Sequence, residues 1–174
     1  DRPLAVIRPV TTRREWRNNA RAPRPEYVAE AARMLRAEGY HVVAVADIEP
    51  PHEWLEGEMP EADLYRVKGE LDTPQLLALV QNAAVVVGGV GWIVPAAIAA
   101  RTPAVILGGG MGGHNAPELL IDPRMDASRI RWLIPDRYCR CRDRAHACPK
   151  TITDFDARFR AALDEATRSM GVAA

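Results

Sequence analysis

Short runs that are apolar on both faces alternate along the chain with longer stretches in which apolar residues return every three or four. Leu4-Ala5-Val6-Ile7, His41 to Ile48, Ala84 to Val87 and Ala104 to Leu107 are of the first kind. Such brief, valine-rich runs predict strands buried on both faces. Leu64 to Val67 and Ile130 to Ile134 read as two further strands. Val28, Ala31, Ala32 and Leu35 have helical spacing, and predict a helix opened by Pro25 and ended by Gly39 at its C′ position. A second helix carries Leu76, Leu77 and Val80 as its buried stripe, with Asp72 or Thr73 as cap and Pro74 in first position. Trp92 to Ala100 forms a third. The last helix, within 151–172, presents Phe155, Phe159, Ala162, Leu163 and Ala166 on one face, and Thr153-x-x-Asp156 predicts a capping box. Pro50 to Pro60 reads as an acidic connector with a short helical turn at Trp54-Leu55.

Strands alternating with helices imply an α/β, Rossmann-like three-layer domain with a mostly parallel sheet of about six strands and a C-terminal amphipathic helix. A length of 174 residues suits one such domain over 1–174, with a Cys/His/Arg-rich loop at 136–150. Hydrophobic residues at 48% and charged ones at 26% exclude wholesale disorder. Ala83 to Ala100 is free of charge for 18 residues, near the minimum for a membrane helix. Gly88, Gly89, Gly91 and Pro95 interrupt it, so it reads as strand, turn and helix, with no membrane span expected. With no basic-then-apolar leader, a cytoplasmic location is expected. The start at Asp1 rather than methionine suggests a piece of a longer chain.

The balanced total of 23 cations and 23 acids disfavours a globally basic nucleic-acid coat and hides a local asymmetry. Arg8 to Arg24 holds six arginines against Glu15 alone; Asp47 to Asp72 holds nine acids against Arg66 and Lys68. Thr73 to Pro117 has no acid, and Arg129 to Lys150 has seven cations against Asp136 and Asp143. Each block could be a solvated face; two arginine-rich blocks around an acid-free, glycine-rich centre would instead suit an anionic ligand.

Ligands of parallel α/β sheets sit at the carboxyl ends of the strands, which singles out three turns. Gly88-Gly89-Val90-Gly91 joins a strand to a helix, where backbone N–H groups attract phosphate, although a tight turn without a ligand reads the same way. Gly108-Gly109-Gly110-Met111-Gly112-Gly113 is too costly in chain entropy for a generic loop, and suggests backbone wrapped around something or a mobile lid. His114 and Asn115 could bond phosphate or base edges; Glu118 could accept ribose hydroxyls or serve as a helix-start charge. Thr11, Thr12, Arg13 and Arg14 could hold an anion, or an arginine could stack on Trp16. The nucleotide- and phosphate-binding candidates are therefore Thr11, Thr12, Arg13, Arg14, Gly88, Gly89, Gly91, Gly109, Gly110, Gly112, Gly113, His114, Asn115 and Glu118. Gly89-x-Gly91-x-x-Val94 fails as a dinucleotide fingerprint: it follows a later strand, and no ribose-binding acid comes about 20 residues further on.

Three cysteines do not form a secreted disulfide framework. Cys139, Cys141, His146 and Cys148 offer four soft ligands within ten residues, enough for a structural Cys3His zinc site, or else are unligated loop thiols.

Taken together, the run Thr11 to Trp16, then Leu76 to Val80, Val85-Val86-Val87-Gly88, the helix to Thr102-Pro103, the glycine-rich turn and the cysteine-bearing tail resemble the C-terminal half of glycosyltransferase family nine, the heptosyltransferase-like enzymes of GT-B architecture. The resemblance implies a domain that binds a nucleotide-diphosphate sugar as donor, with no obligatory cofactor. It implies that the acceptor and the usual catalytic carboxylate belong to a missing N-terminal domain or partner chain. Arg14 matches the family's basic residue two before a tryptophan, which approaches donor phosphate. Val90, Trp92 and Pro95 stand where that family has aspartate, glycine and histidine. The competing reading is a non-catalytic nucleotide- or polyanion-binding subunit, with nucleic acid a less favoured ligand.

Overall fold

The computed structural model describes residues 1–15, 20–49 and 52–168. Six strands, all parallel, make the main sheet: β1 (Leu4–Ile7), β3 (His41–Val45), β5 (Leu64–Arg66), β6 (Val85–Gly89), β7 (Ala104–Leu107) and β8 (Ile130–Leu133), ordered β5-β3-β1-β6-β7-β8. Numbered within the sheet this is 3-2-1-4-5-6, the doubly wound Rossmann order. The winding direction reverses between β1 and β6, where Ala5, Val6 and Ile7 pair with Val85, Val86 and Val87.

Successive strand residues face opposite sides, so each strand feeds two cores. Ala5, Ile7, Val42, Ala44, Val85, Val87, Val105 and Leu107 pack under α1 (Pro25–Ala37) and α6 (Phe155–Thr167). Val6, Val43, Val45, Val86, Ala104 and Ile106 pack under α2 (Thr73–Asn82) and α3 (Ile93–Ala100). Burial on both faces explains why the strands lack polar alternation. None of the described helices is long and apolar enough to cross a membrane.

Helix boundaries follow side-chain chemistry. α1 ends as expected: Gly39, at φ +87°, sends its N–H to Arg36 O, and Tyr40 N–H reaches Leu35 O. Asp72 is the cap of α2, in a reciprocal box with Gln75 that leaves Pro74 at the second position. The buried side of that helix differs from expectation. Leu76, Leu79 and Val80 meet the core, whereas Leu77 is exposed, having turned away from the sheet. The capping box expected at Thr153 does not form. Asp136 takes both the Thr153 N–H (2.9 Å) and hydroxyl (2.6 Å), and also Arg158 (2.7 Å), so α6 starts at Phe155, after Asp154 in the left-handed region. The face forecast for this helix is buried throughout.

A second, two-stranded sheet was not foreseen. β2 (Thr11–Arg13) pairs antiparallel with β4 (Glu53–Leu55), setting Thr12 opposite Trp54 and Arg13 opposite Glu53. Trp54-Leu55 is therefore strand rather than helical turn, and the ribbon stands beyond the carboxyl end of β1. Two one-turn helices complete the order, α4 (Gly112–Asn115) and α5 (Pro117–Leu120).

Candidate functional site

Arg8 leaves β1 with its N–H bonded to Val87 O (2.9 Å), which ties the first turn to β6. Its guanidinium folds beneath the ribbon and donates to Glu53 Oε1 (2.6 Å) and Thr11 Oγ1 (3.1 Å). Thr11 in turn donates to the same carboxylate oxygen (2.7 Å), while Glu53 Oε2 accepts the Asp47 N–H (2.9 Å). Arg13 approaches Glu53 at 3.6 Å. Glu53 is 1% exposed. Burial alone would raise its pKa, but Arg8, the Thr11 and Asp47 hydrogen bonds and Arg13 outweigh it and hold the carboxyl below its usual range. Burial depresses Arg8, an effect that Glu53 offsets in part. The Arg8 guanidinium also lies 5.9 Å from the Trp92 ring centroid.

This network floors a crevice of about 320 Å³ at the strand-order reversal. One wall comes from Thr11, Thr12 and Arg13, the opposite wall from Gly89, Val90, Gly91 and Trp92 at the start of α3, and the third from Arg21, Ala22 and Pro23. Burial lowers the Arg21 pKa, and the proximity of Arg144 lowers it further. Among the described residues no carboxylate lies within ion-pair distance of Arg21. A partly desolvated cation facing a second cation, beside an open glycine turn, is a place where negative charge would be stabilised.

The forecast residues divide into two groups. Thr11, Thr12, Arg13, Gly89 and Gly91 line the crevice. Gly88 lies beneath it, where a β-carbon would come 3.1 Å from Arg8 Cβ. Arg14 is exposed and outside the lining set, and Trp16 lies outside the described residues.

The second glycine-rich turn does something else. A β-carbon at Gly109 would overlap the Ala22 carbonyl; one at Gly110 would sit 2.6 Å from Cys148 Cβ and 2.7 Å from Ala20 O. Gly112 and Gly113 donate their N–H groups to Cys139 O (2.7 Å) and Cys141 O (2.9 Å). The close approach read from these glycines is made by the chain's own segments at 20–22 and 138–148. His114 is exposed. Asn115 is buried and donates to Met111 O (3.1 Å), and its own carbonyl accepts from Tyr138. Glu118 pairs with Arg140, whose hydrogen bond holds its carboxyl below the usual range.

Cys139, Cys141, His146 and Cys148 come together as a clasp whose four ligand atoms all lie within 4.8 Å of one another. Cys141 Sγ is 3.3 Å from Cys148 Sγ, and His146 Nδ1 is 3.2 Å from Cys148 Sγ and 3.4 Å from Cys139 Sγ. A tetrahedron with metal–sulfur bonds of about 2.3 Å has edges of roughly 3.8 Å, so a slight expansion admits an ion. Burial and the neighbouring sulfurs push the Cys141 thiol up to about 11, whereas N–H donation from Cys141 lowers Cys139. A second cavity of about 720 Å³ opens between the clasp and the ribbon, bounded by Trp54, Arg144, His146, Cys148 and Lys150. It shares Thr12 and Glu56 with the crevice, so the two adjoin.

Arg8, Arg21, Glu53 and Trp92 were missed as site residues. Only the arginine-rich block around Arg8 and Arg21 left a trace in the sequence.

No family model and no curated relative matches the chain. Among solved structures, ADP-heptose LPS heptosyltransferase II of E. coli superposes with a TM-score of 0.62 at 18% identity, covering 98% of this chain and 48% of that one. The dodecameric iron-containing heptosyltransferase TibC, in complex with ADP-D-β-D-heptose, gives 0.62 at 14% identity over 98% and 47%. TibC of enterotoxigenic E. coli H10407 in a second structure gives 0.55 at 16%. The chain has the fold found in these heptosyltransferases and spans about half their length.

Proposed function

We propose that this chain is the nucleotide-sugar-binding half of a GT-B glycosyltransferase, with the donor diphosphate seated in the crevice between Arg13, Arg21 and the Gly89–Gly91 turn. The observation that carries the reading is the convergence of two cations and a glycine-opened helix start at the strand-order reversal. Arg8 and Glu53 neutralise each other and position the ribbon, which leaves Arg13 and Arg21 to meet the ligand. The heptosyltransferase fold supports the same assignment. In such a reaction these groups would stabilise the departing diphosphate, and the base that activates the acceptor would come from another domain. Gly109, Gly110, Gly112 and Gly113 serve this site indirectly, by closing the wall behind Arg21.

The clasp belongs to the reading as a structural metal site. Three thiolates and an imidazole suit zinc or iron, and TibC is described as iron-containing.

A thermal-shift series with ADP, UDP and their sugar esters tests the donor assignment. Saturable stabilisation by nucleoside diphosphates is expected, reduced in R21Q and R13Q. Stabilisation by long polyanions alone, with no response to any nucleotide, would replace this reading with the polyanion-binding one.

A further inference from the structure

The clasp and the crevice have no residues in common, yet the loop that builds the clasp also builds a wall of the larger cavity beside the crevice. Two of the four clasp residues, His146 and Cys148, line the larger cavity directly. Arg144 and Lys150, on either side of them in sequence, line it too. The carbonyls of the other two, Cys139 and Cys141, hold the Gly112 and Gly113 amides. Through Gly110 the Cys148 side chain backs onto Ala20 O, and through Gly109 the turn backs onto the Arg21-Ala22 backbone. The wall that carries Arg21 therefore rests on the glycine turn, and the turn rests on the clasp.

We propose that the larger cavity, between Trp54 and Lys150, is a second subsite for the anionic ligand, and that a metal ion in the clasp and an anion in these adjoining cavities bind with positive cooperativity. The inference rests on both readings given above and adds the coupling between them. Residues 138–150 have little regular structure. Without a metal nothing cross-links the four clasp residues, and an anion bears more of the cost of holding the loop that carries Arg144 and Lys150. A metal orders them in advance, so the anion binds more tightly. A divalent ion held by three thiolates leaves one net negative charge, which Arg142 and Arg144 on the same loop offset. The sign of the coupling is thus set by ordering rather than by charge. Trp54 offers a flat face, and Glu56 an acceptor, for the uncharged part of a phosphorylated or diphosphate-linked ligand.

Linkage requires the effect to be reciprocal, which gives two independent readings. Calorimetric titration of ADP, with inorganic pyrophosphate in parallel, into zinc-loaded and chelator-stripped chain should show about tenfold tighter binding to the loaded form, within the roughly 5–150-fold usual for such coupling. Competition for zinc against a chromogenic chelator should show the same factor when ADP is saturating, and this reading needs no metal-free preparation. In K150Q ADP binding should weaken, and the ratio of zinc affinities with and without ADP should shrink. Zinc and ADP both binding, each indifferent to the other, overturns the coupling and leaves both site assignments standing. Failure to retain zinc overturns the clasp and the coupling together. Failure of both ADP and pyrophosphate to bind the loaded chain overturns the donor reading and the coupling. A coupling that survives intact in K150Q overturns the second subsite.

Discussion

Replacing Glu53 with glutamine keeps the shape of the side chain and removes the charge on which the ribbon depends. In the wild type one carboxylate oxygen serves Arg8 and Thr11, with Arg13 nearby, and the other serves the Asp47 N–H. Glutamine has one acceptor oxygen and one NH2, so either the Asp47 N–H or the Arg8–Thr11 pair must face a donor. Leaving a buried donor unmatched costs about 1–3 kcal/mol. Arg8, only 16% exposed at its side chain, also loses its counter-charge. Breaking a buried ion pair costs roughly 3–5 kcal/mol, and retention of part of the hydrogen bonding places E53Q near the lower end, about 3 kcal/mol. At about 2–4 °C per kcal/mol for a domain of this size, the melting temperature should fall by roughly 6–12 °C. Urea unfolding at pH 7 and scanning calorimetry measure it. The pH dependence separates charge from packing. Glu53 has a folded-state pKa below its unfolded value, so its contribution is complete above about pH 4.3 and is lost as pH falls through the folded value. The gap between wild type and E53Q should therefore close in acid. A gap under 1 kcal/mol at neutral pH, or one that persists unchanged below pH 3, refutes the buried-pair account.

G109A should destabilise the chain by roughly 2–3 kcal/mol in urea unfolding, because the new methyl meets the Ala22 carbonyl although the Gly109 backbone is not left-handed. Asp63, held by Arg2, by the Val42 N–H and more weakly by Arg36, should titrate at about 2 in a carboxylate NMR series. Its contribution is complete above about pH 4 and lost through pH 2, so D63N and wild type should converge in stability there; a measured value above 3.5 contradicts the geometry. Elemental analysis of purified chain should find one zinc or iron per molecule, and C139S should abolish it. Metal loss should lower the melting temperature, and affinity should fall with acidity as protons compete for the thiolates.

The sheet and its helices were legible because a doubly buried strand must be apolar throughout and a surface helix must repeat every three to four residues. Val85 to Val87 and the Phe155–Ala166 face are the clearest cases. The clasp was legible too, since its four ligands fall within ten residues. Half of the crevice was not. β2 and β4 have three residues each, too few for alternation to register, and they pair across some forty positions. Glu53 sits among eight other acids between Asp47 and Asp72, and nothing local marks it as the one that becomes buried. The glycine-rich turn was correctly read as a place of close approach. Its partner was the chain itself, and entropy arguments cannot tell a ligand from a neighbouring loop.

The strand at the middle of the sheet is the first one synthesised. β1 has β3 on one side by residue 45, but its other side stays bare until residues 85–89 have been made. A nascent chain stalled between those points would offer Ala5–Ile7 as an unpaired apolar edge, the kind of surface that recruits other strands. Truncated chains ending near residue 82 should accordingly precipitate or occupy chaperones, whereas those reaching past β6 would have that edge closed.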